Sequence, residues 1–214
     1  MRGRETVDNN QKRKGKFIVF EGLDGSGKST QLRSLYRRLS NENKRAEVTC
    51  EPTKGDVGKM IRKCLSYQIP ADSHVIAALF AADRLDHIMR PDGLLNMLAE
   101  DVYILCDRYY LSSYAYQSMD IDLDWVMDIN AVSVRKLKPD CHIFIDITPE
   151  LAMERLTKRK RLEMFEEYEK LKLIYENFHN VIEKLKDTEN IVVIDGGKTE
   201  RAVTEDVWNV ISAL

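Results

Sequence analysis

The chain has 214 residues, 43% hydrophobic and 32% charged, with a net charge of −2. That is the composition of one soluble globular domain, long enough to bury a core without staples. The near-neutral balance argues against a nucleic-acid partner, and the longest apolar run, Val75 to Ala82, is far too short to span a bilayer. The four cysteines, Cys50, Cys64, Cys106 and Cys141, have no C-x-x-C spacing, so they read as reduced thiols of a cytoplasmic protein.

Residues 1–15 are polar and basic and lack the apolar segment of a secretory signal, which predicts a disordered tail before a domain over 16–214. Phe17–Glu21 reads as a short buried strand. Gly22-Leu23-Asp24-Gly25-Ser26-Gly27-Lys28-Ser29-Thr30 follows and fits G-x-x-x-x-G-K-[ST]. A helical pattern over Lys28–Asn43 comes next. Strand, glycine-rich turn and helix N-terminus together aim backbone N–H groups and the positive end of a helix dipole at one point, which is a phosphate site. In such a loop Lys28 reaches the β- and γ-phosphates, and the Ser29 hydroxyl ligates Mg²⁺.

Further strands are expected at Ala46–Cys50, Val102–Cys106, His142–Ile147 and Ile191–Asp195. Helices are expected at Val57–Tyr67, Ser73–Glu100, about Asp124–Leu137, Pro149–Thr157, Glu163–Lys186 and Glu200–Ala213. The strands are apolar runs, the pattern of strands covered on both faces. The alternation implies a three-layer α/β P-loop NTPase fold with a parallel sheet of about five strands. Ligands then collect at the carboxyl ends of the strands, where Glu21, Glu51-Pro52-Thr53-Lys54-Gly55, Asp107-Arg108-Tyr109 and Asp195-Gly196-Gly197 stand.

A GTPase needs an N-K-x-D base reader that is missing, and a motor or transport ATPase needs a coupled domain for which there is no room. A small kinase needs an acceptor pocket and a basic lid. Phe80 and Arg84, four apart, share a helix face. They either read a base, by stacking and by donation to a carbonyl, or belong to the core with Arg84 paired to a carboxylate. Asp107 suits an acid that holds Mg²⁺ through water, and Arg108 suits a bidentate phosphate contact; a structural Asp–Arg pair is the alternative. Lys158-Arg159-Lys160-Arg161 is either a solvated charge run or a helical lid, over about 157–163, that brings cations to the transferring phosphoryl group.

Taken in order, Phe20 to Thr30, Leu79-Phe80-Ala81-Ala82-Asp83-Arg84, Asp107-Arg108-Tyr109 with Ser112-Ser113-x-Ala115-Tyr116-Gln117, and Pro139-Asp140 resemble the thymidylate kinase family. The resemblance covers the chain from about Phe17 onward. It implies ATP- and Mg²⁺-dependent phosphorylation of dTMP to dTDP, and a homodimer. It also implies that Asp24 binds the deoxyribose 3′-hydroxyl, Arg108 the dTMP phosphate, and Phe80 and Arg84 the thymine. Ser113 and Gln117 would lie near the base, and Tyr116 would crowd the 2′ position. Gly25 matches the bacterial-type loop, whose catalytic arginines come from the lid: here Arg155, Arg159 or Arg161. Cys50 stands where the family usually has arginine before Glu-Pro, and Lys54 is the expected substitute phosphate contact, as a point charge. Two rivals stay open: a deoxynucleoside kinase with Glu51 as base, and a nucleotide-binding regulator without turnover.

Overall fold

A computed structural model of the protein describes residues 15–156 and 161–214, with side chains in the second segment from Tyr168 onward. In chain order the elements are β1 (Phe17–Glu21), α1 (Lys28–Asn41), β2 (Ala46–Cys50), α2 (Asp56–Leu65), α3 (Ser73–Met89), α4 (Leu94–Ala99) and β3 (Tyr103–Asp107). They continue with α5 (Tyr110–Gln117), α6 (Leu123–Lys136), β4 (Cys141–Asp146), α7 (Pro149–Leu156), α8 (Arg161–Leu185), β5 (Ile191–Asp195) and α9 (Glu200–Ser212). All strand pairings are parallel, in the order β2-β3-β1-β4-β5.

Strand β1 shows why its sequence is a continuous apolar run. Phe17 and Val19 pack into one core, with α3 to α6 and α8, while Ile18 and Phe20 pack into the other, with α1 and α9. Successive side chains point to opposite faces and both faces are covered, so neither face calls for polar residues. The edge strands depart from that expectation: Val48 in β2 is 48% exposed and Val193 in β5 is 49% exposed. An edge strand has a neighbour on one side only, so its cover is thinner.

Two other expectations change. The helix predicted over Ser73–Glu100 is two helices, because Pro91 forces Arg90 into an extended conformation (ψ 159°) and Gly93 caps α4. The segment after Asp107, read only as a motif, forms α5, which is buried along most of its length. Gly15, assigned to the tail, already belongs to the fold: it is buried, and its N–H donates to Leu98 O at 3.1 Å. The rest of the tail expectation and residues 157–160 of the expected lid lie outside the described residues.

β1, the first strand in the chain, is the central strand of the sheet, with β3 on one flank and β4 on the other. The crevice at its carboxyl end is therefore a topological switch point, where open α/β sheets bind ligands.

Candidate active site

The phosphate loop turns out of β1 on glycines at positive φ. Gly22 has φ 135°, and a Cβ there would sit 2.6 Å from Ile145 O, so both conformation and space exclude a side chain. Leu23 is buried in the core and contributes only its backbone to the loop. Gly27 caps α1 with φ 99°. Lys28 folds back into the loop, its Nζ donating to Gly22 O (3.0 Å) and Leu23 O (2.8 Å). Burial, helped by the Arg108 charge, pulls the Lys28 ammonium down to about 8, against the opposing pull of Asp107, Asp24 and Glu21. A nucleotide's phosphates would reverse that shift.

The parallel register pairs Phe20 with Asp107, which brings the end of β3 against the start of α1. Ser29 Oγ consequently lies 3.1 Å from Asp107 Oδ2, while Asp107 Oδ1 is enclosed without a hydrogen-bond partner. A hydroxyl and a carboxylate with an unsatisfied oxygen, side by side at the mouth of a phosphate loop, fit a hard cation that takes its other ligands from phosphate and water. Among the described residues no group of three or more His, Cys, Asp or Glu side chains forms a cage of its own.

Arg108 stands at the centre of the expected acceptor side. Its backbone has φ 72°, and its N–H donates to Phe20 O (2.9 Å). Its guanidinium donates to Asp24 Oδ1 (2.6 Å), Tyr116 OH (3.0 Å) and Ser112 Oγ (3.1 Å), and it lies 4.7 Å from the centre of the Tyr116 ring. Burial tends to raise the Asp24 carboxyl; the Arg108 and Lys28 charges override it and hold the group below the usual carboxylate range. Asp24, Gly25, Gly27, Lys28, Ser29, Thr30, Asp107 and Arg108 all border one open cleft of about 450 Å³. Ser26 is buried beneath it.

On the far side of the cleft a side-chain framework carries the Glu51–Gly55 segment. Asp83 accepts from Thr53 N and Thr53 Oγ1, both at 2.7 Å. Glu51 accepts from Arg84 Nε at 2.8 Å and lies 3.1 Å from His87 Nδ1, whose Nε2 meets Thr49 Oγ1 at 2.8 Å. Arg84 is 1% exposed and also donates to Ser113 Oγ (3.0 Å) and Asn130 Oδ1. The structure thus realises the carboxylate pairing of Arg84 that the sequence left open. Phe80, one turn earlier, is half-buried, as is Gln117, whose Oε1 is enclosed without a partner.

Lys54 is exposed and is not among the cleft-lining residues. The cation beside Cys50 is Arg62, from α2, which donates to Thr53 O and Pro52 O at 2.6 Å each. Sequence reasoning missed it, because an arginine two turns into an ordinary helix carries no signal. Asp83 and His87 were also missed, although they left one: both fall among the core-facing positions of α3 with Ala77, Ala81 and Ile88, where an ionisable group needs a partner. Of the lid candidates, Arg155 borders the cleft and donates to Gly196 O (2.9 Å) and Gly25 O (3.4 Å), tying the end of β5 to the phosphate loop. Arg159 lies outside the described residues, and Arg161 begins α8 with its side chain undescribed.

The thymidylate kinase family model matches residues 20–207. The chain belongs to the thymidylate kinase family. It is 37% identical over 196 residues to a probable thymidylate kinase of Methanococcus aeolicus, covering 90% of this chain and 93% of that protein. It is 35% identical over 209 residues to a thymidylate kinase of Caldicellulosiruptor saccharolyticus, covering 94% and 98%. The span of the family match takes in both halves of the cleft, from the last residues of β1 to the middle of α9.

Proposed function

We propose that the protein transfers the γ-phosphoryl group of ATP to dTMP, giving ADP and dTDP. The observation that carries the reading is the meeting of a Lys28 phosphate loop and a guanidinium-lined acceptor side in one cleft, in a chain of the thymidylate kinase family. The acceptor phosphate is largely dianionic at neutral pH, since its second pKa is about 6, so the reaction needs no general base. It needs two anions held in line and neutralised. Lys28 and the loop backbone hold the donor. Arg108 and Arg62 face the acceptor phosphate, and Asp24 takes the sugar hydroxyl. Phe80 and Gln117 meet the base, backed by Ser113 and Arg84, and Tyr116 guards the 2′ position. Arg155, Arg159 and Arg161 supply positive charge from the lid side. Ser29 and Asp107 would hold Mg²⁺, which neutralises charge on the phosphates.

Glu51 makes a poor general base, since it is 4% exposed and already paired with Arg84 and His87. That disfavours the deoxynucleoside kinase reading. Exposed apolar side chains on the neighbouring helices α3 and α6, Val75, Trp125 and Val132, support a homodimer. A monomeric mass by light scattering would overturn that part alone. Four free thiols and the absence, among the described residues, of any helix long and apolar enough to cross a membrane accord with a cytoplasmic enzyme.

The test is ADP release from ATP and Mg²⁺ with thymidine, dTMP, dUMP and the other monophosphates as acceptors. Turnover should be greatest on dTMP. Turnover on thymidine alone would support the nucleoside kinase instead, and no turnover on any acceptor would sink the enzymatic reading.

A further inference from the structure

Glu21 closes β1 immediately before the phosphate loop, fully buried, and no step described above uses it. Its Oε1 accepts from the backbone N–H groups of Tyr109 (2.9 Å) and Ser112 (3.3 Å), and its Oε2 accepts from the Ser112 hydroxyl. The same Ser112 Oγ accepts from Arg108 Nη1 at 3.1 Å. One carboxylate from the donor strand therefore occupies the N-terminus of α5, a position that favours negative charge. It also reaches the Arg108 guanidinium through a single hydroxyl. Arg108 sits at φ 72°, a conformation that a non-glycine residue keeps only where its surroundings impose it. A buried carboxylate is costly to retain when its only task is to fill space.

We propose that Glu21 is a positioning residue of the acceptor site: acting through Ser112 and the Tyr109 N–H, it fixes the Arg108 backbone and guanidinium where the acceptor phosphate arrives. The proposal rests on the reading of Arg108 as the ligand of that phosphate. The charged and titratable groups facing Glu21 are Arg108 in the β3–α5 turn, Lys28 on α1, Tyr116 on α5 and Cys106 on β3. Burial pushes the Glu21 carboxyl up to about 7, with the Ser112 bond and the Arg108 charge pulling the other way. Ionised, it accepts all three hydrogen bonds; protonated, it has fewer lone pairs to offer.

The experiment compares the steady-state kinetics of the wild type, Glu21→Gln, Arg108→Ala and the double variant. Ser112→Ala breaks the same relay more mildly and takes the place of Glu21→Gln if the buried amide impairs folding. Glu21→Gln should raise the KM for dTMP by about tenfold to a hundredfold, as expected of a misplaced positioning group, and leave the KM for ATP unchanged. In the Arg108→Ala background the same change should add almost nothing. The wild-type kcat/KM for dTMP should rise with pH through about 7, and Glu21→Gln should lack that rise; the ionisation of dTMP itself near pH 6 appears in both. An unchanged dTMP KM in the folded variant, or a loss that adds in full to that of Arg108→Ala, overturns the proposal. A wild-type dTMP KM in Arg108→Ala would instead overturn the reading of the acceptor site.

Discussion

The two halves of the cleft are built from different materials. On the donor side the loop from Gly22 to Gly27 is shaped by backbone: positive-φ glycines, main-chain N–H groups and a helix N-terminus, with no side-chain cap on α1. On the acceptor side the geometry comes from enclosed charged side chains, beside which Arg108 keeps a φ of 72°: Asp83 on Thr53, Arg84 and His87 on Glu51, Glu21 on the start of α5. The physical demand differs in the same way. A triphosphate tail is recognised by any ring of N–H dipoles of the right curvature. A particular nucleotide requires side chains of particular shape, and these must be locked by neighbours to discriminate.

That contrast predicts which constant each kind of substitution moves. Lys28→Ala removes the phosphate loop's own lysine, and kcat should fall by at least about a hundredfold, with the folded state intact by circular dichroism. A kcat within a few fold of wild type would mean that the loop is not where the transferring phosphoryl group sits. Asp83→Asn touches no substrate. It leaves Thr53 with one acceptor oxygen in place of two, so the KM for dTMP should rise by about tenfold, the expected effect of one lost charge-assisted hydrogen bond. The KM for ATP should stay where it was. Equal changes in both KM values would erase the distinction between the halves.

The opposite end of the sheet sharpens the comparison, because it carries a buried polar cluster with no substrate nearby. There His142 Nε2 meets Tyr110 OH at 3.3 Å, Tyr110 OH donates to Glu189 at 2.9 Å, and His142 Nδ1 has no partner. Burial, aided by the Lys138 charge, pulls the His142 imidazole down to about 3. In the unfolded chain it titrates near 6.5, so between those values the unfolded state binds the extra proton. Its contribution to stability is therefore complete above about pH 6.5 and is lost as the pH falls toward 3, at about 1.4 kcal/mol per pH unit inside that window. Urea unfolding between about pH 4.5 and 8 should show a shallower acid slope for His142→Leu than for wild type. Identical slopes would mean that His142 is not held neutral. Glu21 acts in the reverse sense, its raised pKa costing stability as pH rises from about 4.5 to about 7, and comparison of the two proteins cancels it.

The same division explains what was legible before any coordinates. The phosphate loop, Arg108, Asp107 and the five strands could be read because each depends on neighbours within a few residues: a glycine where φ must be positive, an apolar run where both faces are covered. The break at Pro91 was equally local and could have been read. Arg62, Asp83, His87 and the task of Glu21 could not. Each acquires its meaning from a partner between 9 and 91 positions away, such as Asp83 with Thr53 or Glu21 with Ser112, and nothing in the local pattern names that partner. Arg84 is the intermediate case, where spacing offered two readings and folding supplied the pairing with Glu51.

The residues in order were enough to set a phosphate-loop motif at the end of the first strand and to put the chain among small kinases, since backbone conformation and burial periodicity are short-range properties. The tertiary structure alone decided how the acceptor side is held, because a buried charge is tolerable only beside its partner and only folding brings the two together. The register that sets Phe20 against Asp107 places Ser29 within 3.1 Å of Asp107 across 78 positions of chain, so the two residues expected to ligate Mg²⁺ stand side by side.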